Sequence, residues 1–501
     1  MSTSFSDTIC AISTPAGVGG IAVIRVSGPG APEIVNRIWK GKPVTDMLSH
    51  TAHLGEILDN GALLDQAVVT IFRAPKSFTG EDVMEIAVHG SKYVQRRLLQ
   101  LLVDNGCRLA EAGEFTRRAF ANGKMDLAQA EAVADVIASN SKAAHQLAAQ
   151  QMKGTYSARL NQLHDKLLEL ASLLELELDF SEEDVEFASR KQLRSIACEV
   201  HDEVTRLYTS FSAGAAIKEG IPVAIVGPTN AGKSSLLNLL LGEDRAIVSD
   251  IHGTTRDTID GLLNIGDYQF RIIDTAGLRD TSDPIEAIGI DRSRRALDHA
   301  AIAILILDAS QPLPATLPVS ISDDTPLILL LNKTDLLDES IAESRQTTLS
   351  ATLNSLPTEI PSTLNSVATS ISERLDALST KFADLLKHCH PRLIDPRIIP
   401  FSVKTNLGLN TLQTTLVDIA DTLRGNADED TIIVTNLRHA ENLKAASAAT
   451  QAILDGLDAN LPGDLIAQDL RATIHHLSAI TGTITTPAIL STIFSRFCIG
   501  K

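Results

Sequence analysis

Three textures of hydrophobic and polar positions alternate along the chain. Up to about residue 120, short β-branched runs such as "GGIAVIRVSG", "QAVVTIF" and "VMEIAVHG" are separated by Gly-rich turns, which predicts a compact α/β unit. From about 124 to 215, apolar residues recur three and four apart in "KMDLAQAEAVADVIA" and "LLELASLLELELDF", with no Pro or Gly, as amphipathic helices require. From 221 the period changes again. The apolar runs "IPVAIVG", "YQFRIIDTAG", "AIAILILDAS", "TPLILLLNKTD" and "RIIPFSVKT" alternate with helical or mixed stretches, the pattern of a doubly wound, mainly parallel sheet with helices on both faces. Gly266-Asp267 predicts one antiparallel hairpin at that sheet's edge. Beyond about 425 the chain is helical again, so the second α/β unit reads as an insertion into a helical domain. The expected borders are 1–123 for the first α/β unit, 124–217 for the leading helical segment, 218–424 for the inserted unit and 425–501 for the trailing helical segment. A Ser/Thr/Pro-rich stretch at about 336–395, "SLPTEIPSTLNSVATSISERL" among it, reads as a further insertion without chemistry.

Length and composition narrow the function classes. At 501 residues the chain exceeds one ordinary core, and its 44% hydrophobic and 21% charged residues are those of a globular protein. The start "MSTSFSDTIC" has neither the h-region of a signal peptide nor the Arg-rich character of a transit peptide. The longest apolar run is far short of the roughly 20 residues that span a bilayer. Five scattered cysteines fit a reducing cytoplasm. A net charge of −18 argues against an electrostatic grip on nucleic acid over the whole surface, so an RNA partner must dock locally or through another protein. The cluster "DFSEEDVEF" reads as a solvated helix junction, and "HCH" (His388 to His390) lacks the second pair that a metal site needs.

The chemistry concentrates in the inserted unit. "GPTNAGKS" (Gly227 to Ser234, with Asn230, Ala231 and Gly232 inside it) fits G-x-x-x-x-G-K-[ST] between a predicted strand and helix, where the glycines let backbone N–H groups wrap phosphates. Lys233 then reaches the terminal phosphates, and the Ser234 hydroxyl ligates Mg2+, with Ser235 beside it. "SDIHGTT" (Ser249, Asp250, Ile251, His252, Gly253, Thr254, Thr255) falls where a switch threonine reaches the magnesium. "DTAG" (Asp274, Thr275, Ala276, Gly277) ends the hairpin's second strand, placing an acid near the metal and an amide near the γ-phosphate. "NKTD" (Asn332, Lys333, Thr334, Asp335) ends a further strand, where the Asp335 carboxylate accepts both guanine donors, a pair adenine does not offer. Ser402, Val403 and Lys404 supply a further base loop. Five short motifs in this order, each at a strand end, specify a Ras-like P-loop GTPase domain.

Ras-type enzymes orient the attacking water with a glutamine just after DTAG. Leu278 stands there, so another group must do it. Asp280, Asp283 and Glu286 are the nearest acids, and Glu286, opening a helix, is favoured; no arginine finger stands out, with Arg256 and Arg279 the conceivable ones. Asn230 offers a carboxamide oxygen to a monovalent cation, whose charge would replace a finger.

With these residues in hand, the chain resembles the MnmE (TrmE) family of tRNA-modification GTPases. The resemblance rests on "TPAGVGGIAVIRVSGP", "SFTGEDVMEIAVHG", "GEFTRRAFANGKMDLAQAEAVADVI", "GPTNAGKSSLLNLL", "SDIHGTTRD", "IIDTAGLRD" and "FCIGK", spread over nearly the whole length. It implies an N-terminal α/β domain that binds a tetrahydrofolate derivative (5-formyl- or 5,10-methylene-) and dimerises, a helical domain, and an inserted G domain. It implies a homodimer working with an FAD-bearing MnmG protein on tRNA in the cytoplasm. Together they add an aminomethyl or carboxymethylaminomethyl group to the wobble uridine, with carbon from methylene-tetrahydrofolate. Carried over residue by residue, K+ goes to Asn230, Ser249, Ile251 and Thr254, Mg2+ to Ser234 and Thr255, the water-orienting role to Glu286, and folate contacts to Arg25, Glu85, Lys124 and Lys501.

The chain departs from the family at Thr483 and Pro487, where acids are expected, yet Thr486-Pro487 still reads as a helix cap and first-turn proline. A switch GTPase of ribosome assembly is the rival reading, but such proteins add a basic RNA-binding module that this acidic chain lacks. A folate-dependent transferase with a vestigial G domain conflicts with the intact nucleotide motifs. The terminal "CIGK" fails as a lipid box because Gly replaces an aliphatic residue and Lys ends it. Cys498 is either a core residue beside Phe494 and Phe497 or, with the tail placed near the folate site as the resemblance implies, a working thiol, and the thiol is the favoured reading.

Overall fold

A computed structural model of the chain describes residues 5–179, 190–243, 261–273, 296–311, 325–336, 397–425, 431–495, 497 and 499–500. It divides into two compact units. The first comprises Met1–Ala138, Leu147–Tyr208 and Arg438–Lys501, and the second Ser139–Gln146 and Thr209–Leu437. The cluster "DFSEEDVEF" (beyond its first residue), the "HCH" tract and nearly all of the 336–395 stretch lie outside the described residues.

The first unit is built on a seven-stranded sheet. Its strands are β1 (Ile9–Ile12), β2 (Ile21–Ser27), β3 (Trp39–Lys40), β4 (Thr51–Asp59), β5 (Ala62–Phe72), β6 (Val83–His89) and β7 (Arg108–Leu109), in the order β3-β4-β5-β6-β2-β1-β7. All neighbours are antiparallel except β1 and β7. Alternation along β5 follows from a sheet covered on one side, with Ala67, Val69 and Ile71 buried, Gln66 exposed before them and Val68 exposed between the first two. Helices Ala31–Ile38 and Lys92–Asp104 cover the apolar side, burying Val35, Leu98 and Leu102 against Ile24, Val69 and Ile86. On the opposite face a smaller cluster gathers Ile9, Ala11, Ala110 and Phe115, with Phe78 against it.

Helices of the same unit come from distant stretches. Leu127–Ala138, Thr155–Asp179, Arg190–Thr209, Leu437–Asp458 and Gly463–Thr481 are long and mostly free of Pro and Gly, as their periodicity predicts. A buried charge cluster joins three of them. Glu131 accepts from Arg438 Nε and Nη2 at 3.0 and 2.9 Å, and lies 2.6 Å from His439 Nε2; Arg438 also donates to the carbonyls of Ala479 and Ile480. Thr486 caps the helix Pro487–Phe494, its hydroxyl accepting from the Ile489 amide, as the sequence leads one to expect. Phe494 and Phe497 then pack with Leu127 and Ala130. Truncating Phe494 would cost about 3–5 kcal/mol, which makes it the anchor of the tail beyond it.

The second unit carries a six-stranded sheet of β8 (Ile221–Val226), β9 (Gly261–Ile265), β10 (Tyr268–Ile273), β11 (Ile302–Asp308), β12 (Leu327–Asn332) and β13 (Arg397–Pro400), ordered β13-β12-β11-β8-β10-β9. Every pair is parallel except the edge hairpin β9-β10, which turns at Gly266-Asp267. The six residues of β12 are all buried, the signature of a strand covered on both faces rather than one. Parallel register brings the carboxyl ends of β8, β11, β12 and β13 to one rim, where open α/β sheets bind ligands.

Candidate functional site

The rim is assembled by backbone first. β8 runs into Gly227, whose φ of +151° suits glycine, and an added Cβ would lie 2.2 Å from the Ile306 carbonyl. Only the bare backbone lets the loop cross β11 this closely. Asn230 comes next at φ +61°, in the left-handed region, and the Ala231 amide donates to the Pro228 carbonyl at 3.4 Å before the helix Lys233–Glu243 begins. Lys233 Nζ donates to the carbonyls of Gly227 and Pro228 at 2.8 and 2.7 Å, so its ammonium lies over the loop. Burial pushes the Lys233 ammonium below its usual pKa, a cost that an anion in the loop would relieve. Asn230, Ser234 and Ser235 carry polar groups at this loop, and Ala231 is buried beneath it. A tight turn at a helix N-terminus, an ammonium over it and exposed hydroxyl side chains are groups suited to a nucleotide's phosphates and a magnesium ion.

The strand-end motif "NKTD" locks onto this loop. Asn332, 3% exposed, donates from Nδ2 to the Ala231 carbonyl at 2.8 Å, and its Oδ1 accepts from the Val403 amide at 3.3 Å. Thr334 donates its hydroxyl to the Phe401 carbonyl at 2.9 Å. Ser402, fully buried, donates to Asp335 Oδ1 at 2.7 Å, while Lys404 stands 4.0 Å from Oδ2. Asp335 is therefore aimed by one neighbour and left with acceptor capacity on its other oxygen, as guanine recognition needs. The structure thus brings together Asn230, Ala231, Gly232, Lys233, Ser234 and Ser235 with Asn332, Lys333, Thr334, Asp335, Ser402, Val403 and Lys404.

One member of the site was not anticipated. Asp308, the last residue of β11, accepts from Lys333 Nζ at 2.7 Å and from the Ser310 amide and hydroxyl at 2.9 and 2.6 Å. Burial opposes its ionisation, but Lys333 and Ser310 outweigh that and hold the carboxyl below its usual range. It explains how Lys333 is held at φ +65°. The signal was present, an acid ending an apolar strand at the binding rim, though no motif marks it.

Ser249, Asp250, Ile251, His252, Gly253, Thr254, Thr255, Asp274, Thr275, Ala276, Gly277 and Glu286 lie outside the described residues, as do Leu278, Asp280, Asp283, Arg256 and Arg279.

In the first unit, Arg25 and Glu85 face each other across the β2–β6 ladder. Arg25 donates from Nε and Nη2 to Glu85 Oε1 at 3.0 and 2.8 Å, and its guanidinium lies 5.5 and 5.6 Å from the ring centres of Phe78 and Phe115. Gly500 joins this pair from the other end of the chain, its carbonyl accepting from Arg25 Nη1 at 3.4 Å and from Ser13 Oγ at 3.2 Å. Ile499 forms a bridge to Ala112. Lys124 donates to the Pro75 carbonyl at 3.0 Å, on the loop that also carries Phe78. A cation, an acid and two nearby aromatic rings suit a heteroaromatic ligand with amide and amino groups. Cys498 and Lys501 lie outside the described residues.

Among the described residues no cluster of three or more His, Cys, Asp or Glu is arranged to hold a metal, and no helix is long and apolar enough to cross a membrane.

Comparison with known proteins is consistent over the full length. The family model of the MnmE helical domain matches residues 127–498, and that of the GTP-binding protein TrmE N-terminus matches residues 8–124. The chain is 45% identical over 504 residues to the tRNA modification GTPase MnmE of Bacteroides fragilis (strain YCH46), covering 99% of each. It is 46% identical over 506 residues to the protein so named from Parabacteroides distasonis, covering 99% of this chain and all of that one. Among solved structures, Era of Aquifex aeolicus bound to GDP·AlF4− matches 45% of this chain and 65% of its own at 24% identity, with a TM-score of 0.24, too slight a likeness to carry weight.

Proposed function

The chain belongs to the MnmE family of tRNA modification GTPases, and from that premise we propose how its parts share the work. That it is a GTPase serving tRNA modification comes with the family; the proposal concerns its substrate, cofactors and residues. The observation that carries the reading is the double hydrogen bond of Asn332, which ties the phosphate loop to the base loop.

GTP is held with its phosphates in the Asn230–Ser235 loop under Lys233 and its guanine against Asp335. Asp335 accepts the ring and exocyclic N–H donors, and the Ser402 hydroxyl keeps it in the right rotamer. Ser234 with Thr255 holds Mg2+, which when bound supplies positive charge to the phosphate oxygens. Asn230, exposed on the loop, with Ser249, Ile251 and Thr254, holds K+, and two G domains close on one another with it in place. Glu286 positions water in place of the glutamine that Leu278 displaces.

The first unit supplies a second centre. Arg25, Glu85, Lys124 and Lys501 bind a tetrahydrofolate derivative, and Cys498 is its working thiol. Support comes from Gly500, which brings the tail onto Arg25, and from the two aromatic rings near that guanidinium. The protein acts in the cytoplasm as a homodimer with an FAD-containing MnmG protein. Together they place an aminomethyl or carboxymethylaminomethyl group on C5 of the wobble uridine, drawing on methylene-tetrahydrofolate. The division at 1–123, 124–217, 218–424 and 425–501 is part of the same proposal.

Mass spectrometry of tRNA nucleosides from cells lacking the protein tests it. Loss of the C5-substituted wobble uridine, restored by the intact gene, is the expected result, and an unchanged nucleoside profile rejects the substrate.

A further inference from the structure

β11 and β12 end side by side on the nucleotide rim, with Asp308 and Asn332 partners in register. The residue after Asn332 reaches back across this strand pair. Lys333 Nζ donates to Asp308 Oδ2, and Asp308 Oδ1 accepts from the Ser310 amide and hydroxyl, so both carboxylate oxygens are engaged. Beneath the pair, the Ala309 amide donates to the Asn332 carbonyl at 2.8 Å. The two side chains are 33% and 17% exposed, so water screens their attraction less than it would on an open surface.

Lys333 needs such a hold. Its φ of +65° lies in the left-handed region, which a residue with a side chain occupies only when its surroundings compel it. The Leu336 amide constrains its carbonyl at 3.1 Å, and Asp308 constrains the far end of its side chain. Fixing Lys333 fixes its neighbours. Asn332, one position before, braces the Ala231 carbonyl of the phosphate loop; Asp335, two positions after, is held by Ser402.

Charge makes the arrangement informative. A carboxylate on the rim that holds a nucleotide repels the phosphates, and it occupies a cation that would otherwise attract them. By Coulomb's law alone, removing this acid should tighten the binding of a polyanion. Its geometry says the opposite, because Asp308 acts on the backbone of the base-recognition motif through Lys333.

We propose that Asp308 is a positioning residue for guanine nucleotides: by holding the Lys333 ammonium it sets the segment Asn332–Asp335, and so raises affinity in spite of its own charge. Lys333 is then a bracket within the motif rather than a phosphate ligand. The inference rests on the reading of this rim as the GTP site.

Asp308→Asn in the full-length protein tests it. Asparagine is isosteric and its carbonyl oxygen still accepts from Ser310, so the partner of Lys333 alone is lost. Competition against a fluorescent guanine nucleotide should show GDP bound roughly tenfold or more weakly. Ser310→Ala, at an exposed side chain, should give a smaller loss in the same direction. Lys333→Met should also weaken GDP, and adding Asp308→Asn to it should weaken binding no further, within about twofold. The preference for GDP over IDP, which lacks the exocyclic amino group, should fall in Asp308→Asn because Asp335 is less well aimed. A melting temperature of the nucleotide-free variant equal to that of wild type separates lost positioning from lost fold. Equal or tighter GDP binding by Asp308→Asn, additive losses in the double variant, or an unchanged GDP-to-IDP ratio overturns the proposal. A wild-type chain that binds no GDP would overturn the reading of the rim itself.

Discussion

Asn332 holds the Ala231 carbonyl at 2.8 Å, so the residue that opens the base-recognition motif is also a strut of the phosphate loop. Nearly buried, it satisfies a carbonyl on one side and the Val403 amide on the other. Asn332→Ala leaves both groups without their partner, at about 1–3 kcal/mol. Affinity for GDP and GTP should fall by roughly 5- to 150-fold. Titration with a fluorescent guanine nucleotide checks this, and an unchanged Kd would show that the strut is dispensable.

Gly500 sits at φ +99°, and a Cβ there would come 2.4 Å from the Ile12 carbonyl. Gly500→Ala therefore displaces the tail from β1 and Arg25. If the tail completes the folate centre, this variant should lose wobble-uridine modification while hydrolysing GTP at the normal rate, and Cys498→Ser should do the same. Modification assays beside phosphate release decide it. Normal modification by Gly500→Ala would remove the tail from the mechanism.

Potassium and Glu286 are tested on the same reaction. Hydrolysis should be markedly faster in potassium than in sodium salts, and equal rates would dispose of the cation's role. Glu286→Ala should abolish turnover and spare nucleotide binding. Persisting turnover would return attention to Asp280 and Asp283.

Acid stability should turn on Glu131. Burial raises its pKa, but His439 and then Arg438 outweigh that and bring it to about 2. A carboxyl depressed on folding contributes stability that is complete above its unfolded pKa of about 4.5 and disappears as pH falls toward about 2. Glu131→Gln, which leaves the half-buried Arg438 guanidinium without its counter-charge, should cost about 3 kcal/mol at pH 7. Thermal unfolding at pH 7 and pH 3 is the measurement. The gap between wild type and variant should narrow at the lower pH; a gap that stays constant would mean that packing, not charge, is lost.

Motif and periodicity carried the G unit a long way. The strand ends of β8 and β12, the hairpin at Gly266-Asp267 and the Thr486 cap are local events, written in a few consecutive residues each. What stayed illegible depends on distant partners. Asp308 gains its role only from Lys333 across a strand pair, and Arg438 from Glu131, 307 residues away. The helix Phe211–Glu219 reads as a continuation of the helical stretch before it, yet it belongs to the second unit, because helical period does not say which core a helix will face.

The bond between Ser13 and Gly500 closes a loop of 487 residues. At a synthesis rate of about 5–20 residues per second, β1 waits roughly 25–100 s for this partner. The sheet around Arg25 has its neighbouring strands at hand long before then, so it can form while the tail is still unmade. A nascent chain, or one clipped just ahead of Ile499, would thus present a folded sheet with the Arg25 face open. The position of a single glycine thus sets when, during synthesis, the Arg25 face is closed.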